Sequence, residues 1–181
     1  TIVDVAPTPL SPAAQDWVAR RNPQGGTAPT GLDHHDLHAL IHHPETGFDW
    51  HLISDLFHPT DSVYKDPIFG TFRGQAEIRA WLVDIMNKIG RVEFAPIGPV
   101  LFNGSTSVQE FVQLAVPPNG PKAFVARGTS VRRYRDGWIV AASDYIDTAP
   151  LAEPEIQAAS VAAGSTVTID DVLKYRMRPT G

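Results

Sequence analysis

Residues 75–90 read QAEIRAWLVDIMNKIG and carry the clearest helical pattern of the 181-residue chain. Gly90 stands where a left-handed helix cap belongs, so the helix is predicted to run from 75 to 89. Apolar residues recur along it at intervals of three and four and form one stripe: Ile78, Trp81, Leu82, Ile85 and Ile89.

The chain that follows this helix is predicted to be β-structure. Long strands are expected at 91–102, 105–116, 123–135 and 138–147, the first of them bent or interrupted at Pro96, Gly98 and Pro99. Two of the intervening turns are Asn103-Gly104 and Asp136-Gly137, dipeptides that favour tight hairpins. Long strands joined by tight turns make a strongly curved antiparallel sheet. Upstream of the helix, a short strand is expected at 62–66 and a glycine-containing loop at 67–74.

The two ends of the chain differ from this middle part. Residues 1–32 contain five prolines and are interpreted as an N-terminal arm, either disordered or laid over a neighbouring subunit, with a short helix possible at 13–21. Residues 33–149 form the folded domain, which begins with two short helices. Residues 150–181 form a C-terminal tail with a terminal helix predicted at 168–178.

This order of elements predicts an α+β fold. Two short helices, a short strand and a long helix precede four long antiparallel strands, so the helices gather on one face of the sheet. We expect a cone-shaped, curved antiparallel sheet packed on the long helix and the N-terminal helices. Such a cone encloses a pocket.

Composition excludes several classes of function. The chain has no Cys, so thiolate metal sites and cysteine nucleophiles are absent. A net charge of −5 without a basic run argues against nucleic-acid binding. No apolar run is long enough to span a membrane, and no leader or nucleotide-binding motif is visible. We therefore expect a cytoplasmic protein with no cofactor and no resident metal.

All seven histidines lie between positions 34 and 58. His34, His38 and His42 recur every four residues, a spacing that can hold a metal, but no acidic residue completes a helical zinc motif. A polar helix face is the simpler interpretation.

Several short segments together carry a family resemblance. They are Tyr64-Lys65-Asp66-Pro67, the glycines at 70 and 74, Arg135-Asp136-Gly137-Trp138-Ile139 and Asp144-Tyr145-Ile146-Asp147. Over roughly residues 49–149 the chain resembles the nuclear-transport-factor-2-like superfamily. The most similar branch contains the polyketide-cyclase-like and limonene-epoxide-hydrolase-like proteins.

The resemblance implies catalytic roles for Tyr64, Asp66 and Asp144. Tyr64 and Asp66 match a segment that holds the attacking water in limonene epoxide hydrolases, and Asp144 matches a catalytic carboxylate. Phe111 and Gln113 stand where that branch has Arg and Asp, so epoxide hydrolysis is not expected. From the residues alone, Asp66 could instead cap the turn before Pro67, and Asp144 could be solvated.

The resemblance also implies an acid–base residue near the first helices, as in dehydratases and isomerases of the superfamily. One of His38, His42, His51 or His58 is therefore expected to be a proton-transfer group in the pocket. His58 is chosen because it precedes the strand of Tyr64.

The remaining site predictions concern substrate binding. Arg127 and Arg132 lie on opposite faces of one strand, so at most one of them points into the cone and can bind an oxyanion. Trp81 and Phe111 are interpreted as cavity wall. The predicted substrate-binding residues are His51, Trp81, Phe111, Gln113 and Arg127.

The function predicted from these residues and from the resemblance is cofactor-free acid–base catalysis: lysis, dehydration, isomerisation or cyclisation of a small hydrophobic, aromatic or cyclic substrate. The superfamily includes lyases of lignin-derived diaryl propanediols, and a polar cavity with aromatic walls would suit such a diol. The alternative is a non-catalytic module that binds a ligand or dimerises through its sheet. The superfamily also leads us to expect a homodimer or a higher homo-oligomer.

Overall fold

A computed structural model describes residues 8–167. The helices are α1 (Pro12–Arg20), α2 (His34–His42), α3 (Trp50–Asp55), α4 (Gly74–Asp84) and α5 (Pro154–Ala162), with 3₁₀ turns at Met86–Lys88 and Pro150–Ala152. The strands are β1 (Val63–Asp66), β2 (Gly70–Arg73), β3 (Val92–Pro96), β4 (Leu101–Asn103), β5 (Thr106–Ala115), β6 (Ala123–Arg135) and β7 (Trp138–Ile146).

The described strands form one seven-stranded sheet. Its order is β2-β1-β7-β6-β5-β3, with β4 also paired to β5. All pairings are antiparallel except that of β1 with β7, which is parallel. The sheet is curved and does not close on itself, and the helices gather against its inner face. The predicted α+β cone is confirmed.

Helix α4 covers the inner face with its apolar stripe. Ile78, Trp81 and Leu82 are almost fully buried, and the Trp81 indole stacks on the Phe72 ring with centroids 4.6 Å apart. The α-helix ends at Asp84, earlier than predicted, and a 3₁₀ turn continues the chain toward Gly90. Gly90 has a φ of +84°, as its place after the helix predicts.

The N-terminal arm was predicted wrongly, because its described part belongs to the core of this chain. Helix α1 starts at Ser11, whose side chain accepts the backbone N–H of Ala14. Trp17 is 2% exposed, and its indole N–H donates to the carbonyl of Ala28 at 2.9 Å. A buried aromatic ring with a satisfied polar atom fixes this arm to the domain.

The structure adds one strand that was not predicted and shows where another is interrupted. Residues 70–73 were predicted as loop but form β2, because Gly70 at φ +101° turns the chain back and Phe72 packs into the core. The strand predicted at 91–102 is interrupted, as its prolines and glycine indicated: it forms β3 and β4, separated by residues 97–100, which include Gly98 and Pro99. The helix predicted at 168–178 lies outside the described residues.

The described part of the C-terminal segment closes one side of the molecule. Ala163 packs in a small apolar cluster with Ala115, Val125 and Ala126. The backbone N–H of Arg91 donates to the carbonyl of Ala163 at 3.1 Å, and that of Thr166 donates to Lys88 at 2.6 Å. Helix α5 is thereby held beside the open end of the sheet. Between residues 8 and 167, none of the helices has the length and apolar character needed to cross a membrane.

Candidate active site

A cavity of about 640 Å³ lies inside the cone, between the inner face of the sheet, the helices α2 to α4, and α5. Its volume is in the range of sites for small organic molecules. Polar side chains from β1, β6 and β7 form one part of its wall. Aromatic rings supply much of the remainder: Trp50, Phe57, Phe69, Trp81, Phe94 and Phe111.

Asp144 is the centre of the polar part. The parallel pairing of β1 with β7 sets Tyr64 beside Ala142 and brings its phenol to Asp144. The Tyr64 hydroxyl donates to Asp144 Oδ2 at 2.5 Å, and the Ser130 hydroxyl donates to Oδ1 at 2.5 Å. Burial, and then the charge of Asp144, raise the pKa of Tyr64 well above its ordinary value. Tyr64 therefore remains a hydrogen-bond donor at neutral pH.

Arg132 lies next to Ser130 on the inner face of β6 and is 5% exposed. Its Nη2 donates to the Ser130 hydroxyl at 3.2 Å, and its Nη1 lies 3.2 Å from His42 Nε2. Among residues 8–167, no carboxylate forms an ion pair with this guanidinium. A chain of polar contacts thus runs from Tyr64 through Asp144 and Ser130 to Arg132.

His42 and His38 border Arg132, with their ring centroids 4.6 Å apart. Burial, followed by the positive charge of Arg132, lowers the pKa of His38 to about 3 and that of His42 well below its ordinary value. Both rings are therefore neutral at neutral pH. Because a guanidinium only donates, Nε2 of His42 accepts and the ring proton sits on Nδ1. That Nδ1 is buried and has no partner in the described part of the chain.

Asp66 supplies a second carboxylate to the cavity wall. Its Oδ1 accepts the backbone N–H groups of Ile68 at 2.7 Å and Phe69 at 2.8 Å. Burial raises its pKa to about 6, and the charge of Asp144 adds to this effect, while the two backbone hydrogen bonds oppose it. A carboxyl that titrates near neutral pH can both take and return a proton.

The structure brings six of the predicted site residues together at the cavity. They come from β1, α4, β5 and β7: Tyr64, Asp66, Trp81, Phe111, Gln113 and Asp144. Their catalytic and binding roles stay predictions. Asp66 caps the turn that follows it, as one interpretation of the sequence predicted, and it also faces the cavity.

The two histidine assignments are corrected. His58 does not line the cavity: its Nδ1 accepts the backbone N–H groups of Thr60 and Asp61, so the ring caps a turn beside Trp138. His51 is absent from the cavity wall too.

Arg127 is also corrected. It points to the outer face of the sheet, where its Nη2 lies 3.1 Å from Glu110 in an exposed ion pair. Arg132, five residues along the strand, takes the inward position. The alternation of β6 offered a signal for this: Arg132 shares a face with Tyr134, an aromatic residue, and the structure shows Tyr134 buried. Ser130 has the same parity and was also missed.

The histidine helix does not form a metal cluster. Within residues 8–167, no group of three or more His, Asp or Glu side chains is placed to hold an ion. His34 and His35 instead pack against the ring of Phe102, with centroids 5.3 and 4.3 Å away. Of the seven histidines, His42 lines the cavity.

Residues 37–142, more than half of the chain, match the family model described as the SnoaL-like domain. A search of curated proteins gave no match.

Among solved structures, TerC co-crystallised with polyporic acid is 20% identical, with a TM-score of 0.52 over 64% of this chain and 92% of that chain. A proposed SnoaL-like polyketide cyclase from Shewanella denitrificans is 18% identical, with a TM-score of 0.53 over 69% and 97%. A Catenulispora acidiphila protein with a ketosteroid isomerase-like fold, in complex with trimethylamine, is 17% identical, with a TM-score of 0.50 over 85% and 97%. At these identities the likeness establishes the fold alone.

Proposed function

The chain belongs to the family of SnoaL-like domains, and from that premise we propose that it is a cofactor-free acid–base enzyme of the cyclase or isomerase type. Its substrate would be a small aromatic or cyclic compound bound in the cavity. One observation carries the proposal: two carboxylates in different environments face the same aromatic-walled cavity. Such pairs divide acid–base roles between them.

Asp66 is the proton-transfer group in this proposal. Its pKa of about 6 leaves it mostly ionised at neutral pH, yet basic enough to accept a proton from an activated carbon. In the described part of the chain no donor reaches its Oδ2. Asp144 is less free to react, since Tyr64 and Ser130 already donate to its two oxygens. Asp144 is therefore assigned a positioning role toward Ser130 and Tyr64.

The proposed step is proton removal beside a carbonyl. Asp66 takes the proton from the carbon, the C–H electron pair moves into the C–C bond, and the carbonyl oxygen becomes an oxyanion. The guanidinium of Arg132 stabilises that negative charge. Return of the proton to another carbon completes an isomerisation. In a cyclisation, the enolate carbon attacks a second carbonyl of the same molecule, and the alkoxide formed there takes the proton from Asp66.

The same oxyanion also permits lysis or dehydration. In a dehydration, the enolate re-forms the carbonyl, and a hydroxyl on the next carbon leaves as water with the proton that Asp66 holds. In a lysis, Asp66 takes the proton of such a hydroxyl, the C–C bond beside it breaks to form the same enolate, and the hydroxyl carbon leaves as an aldehyde or ketone. A diaryl diol derived from lignin is one substrate of suitable size and aromatic character for the cavity volume. It would have to present a C–H or O–H proton to Asp66 and a group that accepts the released electron pair.

Hydrogen–deuterium exchange tests the proposal directly. Benzo-fused cyclic ketones such as 2-tetralone, together with aromatic 1,3-diketones, are incubated in D₂O with the protein, and NMR follows deuterium incorporation. We expect exchange above the buffer rate and a loss of about 100-fold or more in Asp66→Asn.

Asp147→Asn is the matched control, because Asp147 is exposed and its Oδ1 likewise accepts a backbone N–H. Equal exchange by wild type and Asp66→Asn would contradict the role of Asp66. Tight binding of these ketones with no exchange above buffer would favour the non-catalytic binding module.

A further inference from the structure

Arg132 is a buried cation without a counter-ion in the described part of the chain. Five other arginines form ion pairs with carboxylates: Arg20, Arg21, Arg79, Arg127 and Arg135. Three of these pairs are largely exposed, whereas Arg132 is 5% exposed and borders the cavity. Burying an unpaired charge is costly, so a protein keeps one where a ligand will pair with it.

The groups around Arg132 do not neutralise it. Ser130 contributes a hydroxyl, and His42 contributes a neutral ring nitrogen. Asp144 is connected to the guanidinium through the Ser130 hydroxyl and forms no ion pair with it. The nearest partners of Arg132 are thus all uncharged.

The geometry also leaves Arg132 free donors. Each terminal nitrogen of a guanidinium carries two N–H groups. One N–H of Nη2 donates to the Ser130 hydroxyl, and one N–H of Nη1 donates to Nε2 of His42. A second N–H therefore remains on each terminal nitrogen, a pattern that suits the two oxygens of a carboxylate or a single strongly charged oxygen.

We propose that the substrate itself supplies the missing counter-ion, so that the ligand class of this cavity is an aromatic or cyclic oxyanion. Its charged oxygen, from a carboxylate or from an ionised phenol or enol, pairs with Arg132. Its rings occupy the aromatic part of the cavity between Trp81, Phe94 and Phe111. The inference rests on the proposed function only in taking this cavity as the substrate site.

An ionised enol or phenol would also fit the proposed chemistry run in reverse. The protonated form of Asp66 gives its proton to a ring carbon, and the electron pair for the new C–H bond comes from the enolate. The oxyanion then becomes a carbonyl oxygen, still beside Arg132. The same contact therefore serves the charged and the uncharged forms of the substrate.

Binding measurements with matched probes test the inference. 2-Naphthoate and its neutral isostere 2-naphthamide differ in charge and share the ring system, while 2,4-dinitro-1-naphthol is an ionised phenol at neutral pH. Calorimetry gives their affinities. We expect the wild type to bind at least one of the two anions about tenfold or more tightly than the amide. The stronger of the two anions identifies carboxylate or phenolate as the preferred source.

Variants test whether the preference for anions comes from Arg132 or from the overall charge of the protein. Arg132→Met should lose this preference, Arg132→Lys should retain part of it, and Arg127→Met should behave as wild type because Arg127 lies on the outer face of the same strand. The wild-type comparison remains informative even if Arg132→Met fails to fold. The inference is overturned if the wild type binds the amide as well as both anions, or if folded Arg132→Met keeps the preference.

The outcomes also separate this inference from the proposed function. Anion preference without deuterium exchange of any ketone would support the binding site and contradict the enzyme. Exchange of neutral ketones without anion preference would support the enzyme and overturn the ligand class.

Discussion

Replacing Asp66 by Asn is expected to make the protein more stable and less active. The Asn side chain keeps an Oδ1 that can accept the backbone N–H groups of Ile68 and Phe69. It cannot ionise, so the variant avoids placing a charge in a largely apolar cavity next to Asp144. If the proposed role of Asp66 is correct, the chain retains a catalytic group at the expense of stability.

The size of the effect follows from the pKa of Asp66, which burial raises from 3.8 to about 6. Between these values the native state holds a proton that the unfolded chain has released, so the free energy of unfolding falls as pH rises. The gap corresponds to about 3 kcal/mol. The side chain borders a cavity where water screens its charge, so we expect about 1–3 kcal/mol.

Urea denaturation of wild type and Asp66→Asn across pH measures this effect. The difference in unfolding free energy should be near zero at about pH 4 and should reach its full value above about pH 7, because other groups cancel in the comparison. Asp147→Asn, the same change at an exposed position, is measured alongside as the control. A variant that is destabilised at all pH values, or a difference that does not change with pH, would refute the reasoning.

Three further predictions concern single side chains. Trp17→Ala should lower the unfolding free energy by about 3–5 kcal/mol in urea denaturation, because the ring is buried and its N–H is paired with Ala28; a loss below about 1 kcal/mol would mean that α1 is not part of the core. Tyr64→Phe leaves Asp144 with Ser130 as its donor, so deuterium exchange should fall about 10- to 100-fold, whereas exposed Tyr145→Phe should leave it unchanged. Gly90→Ala places a Cβ 2.7 Å from the carbonyl oxygen of Ala163, at a φ of +84°. It should lower the unfolding free energy by about 2 kcal/mol more than Gly98→Ala, because Gly98 has a similar φ of +76° but open space around it. Equal thermal stabilities of the two variants would contradict the contact with Ala163.

The fold was largely predictable because its strongest patterns are local. The apolar stripe of α4 and the two-residue turns at 103–104 and 136–137 specify a helix and hairpins from neighbouring residues alone. The short helix of the arm was anticipated at 13–21, but its place in the core was not, because its stability there comes from burying Trp17. Such tertiary packing overrides local propensity, and sequence patterns do not display it.

The site was predictable in part, and the errors have physical causes. Tyr64 and Asp144 came from a resemblance. Arg132 required knowing which face of β6 points inward, and the two-residue period of a strand shows only that Arg127 and Arg132 lie on opposite faces. The choice among histidines failed because several of them lie on short helices, where spacing does not tell which side meets the cavity. The ring of His58 caps the turn that follows it, because its Nδ1 accepts the backbone N–H of Asp61.

The parallel pairing of β1 with β7 has a consequence for the order in which the molecule assembles. Tyr64 and Asp144 are separated by 80 positions, and the strand pairing that joins them is a contact between distant parts of the chain. Closing a loop of that length costs more entropy than closing a local hairpin, so we expect this contact to form after the hairpins. During synthesis the pair cannot exist until β7 has been made. A chain that ends before β7 contains Tyr64 but lacks Asp144, and so lacks the centre of the polar part of the cavity wall.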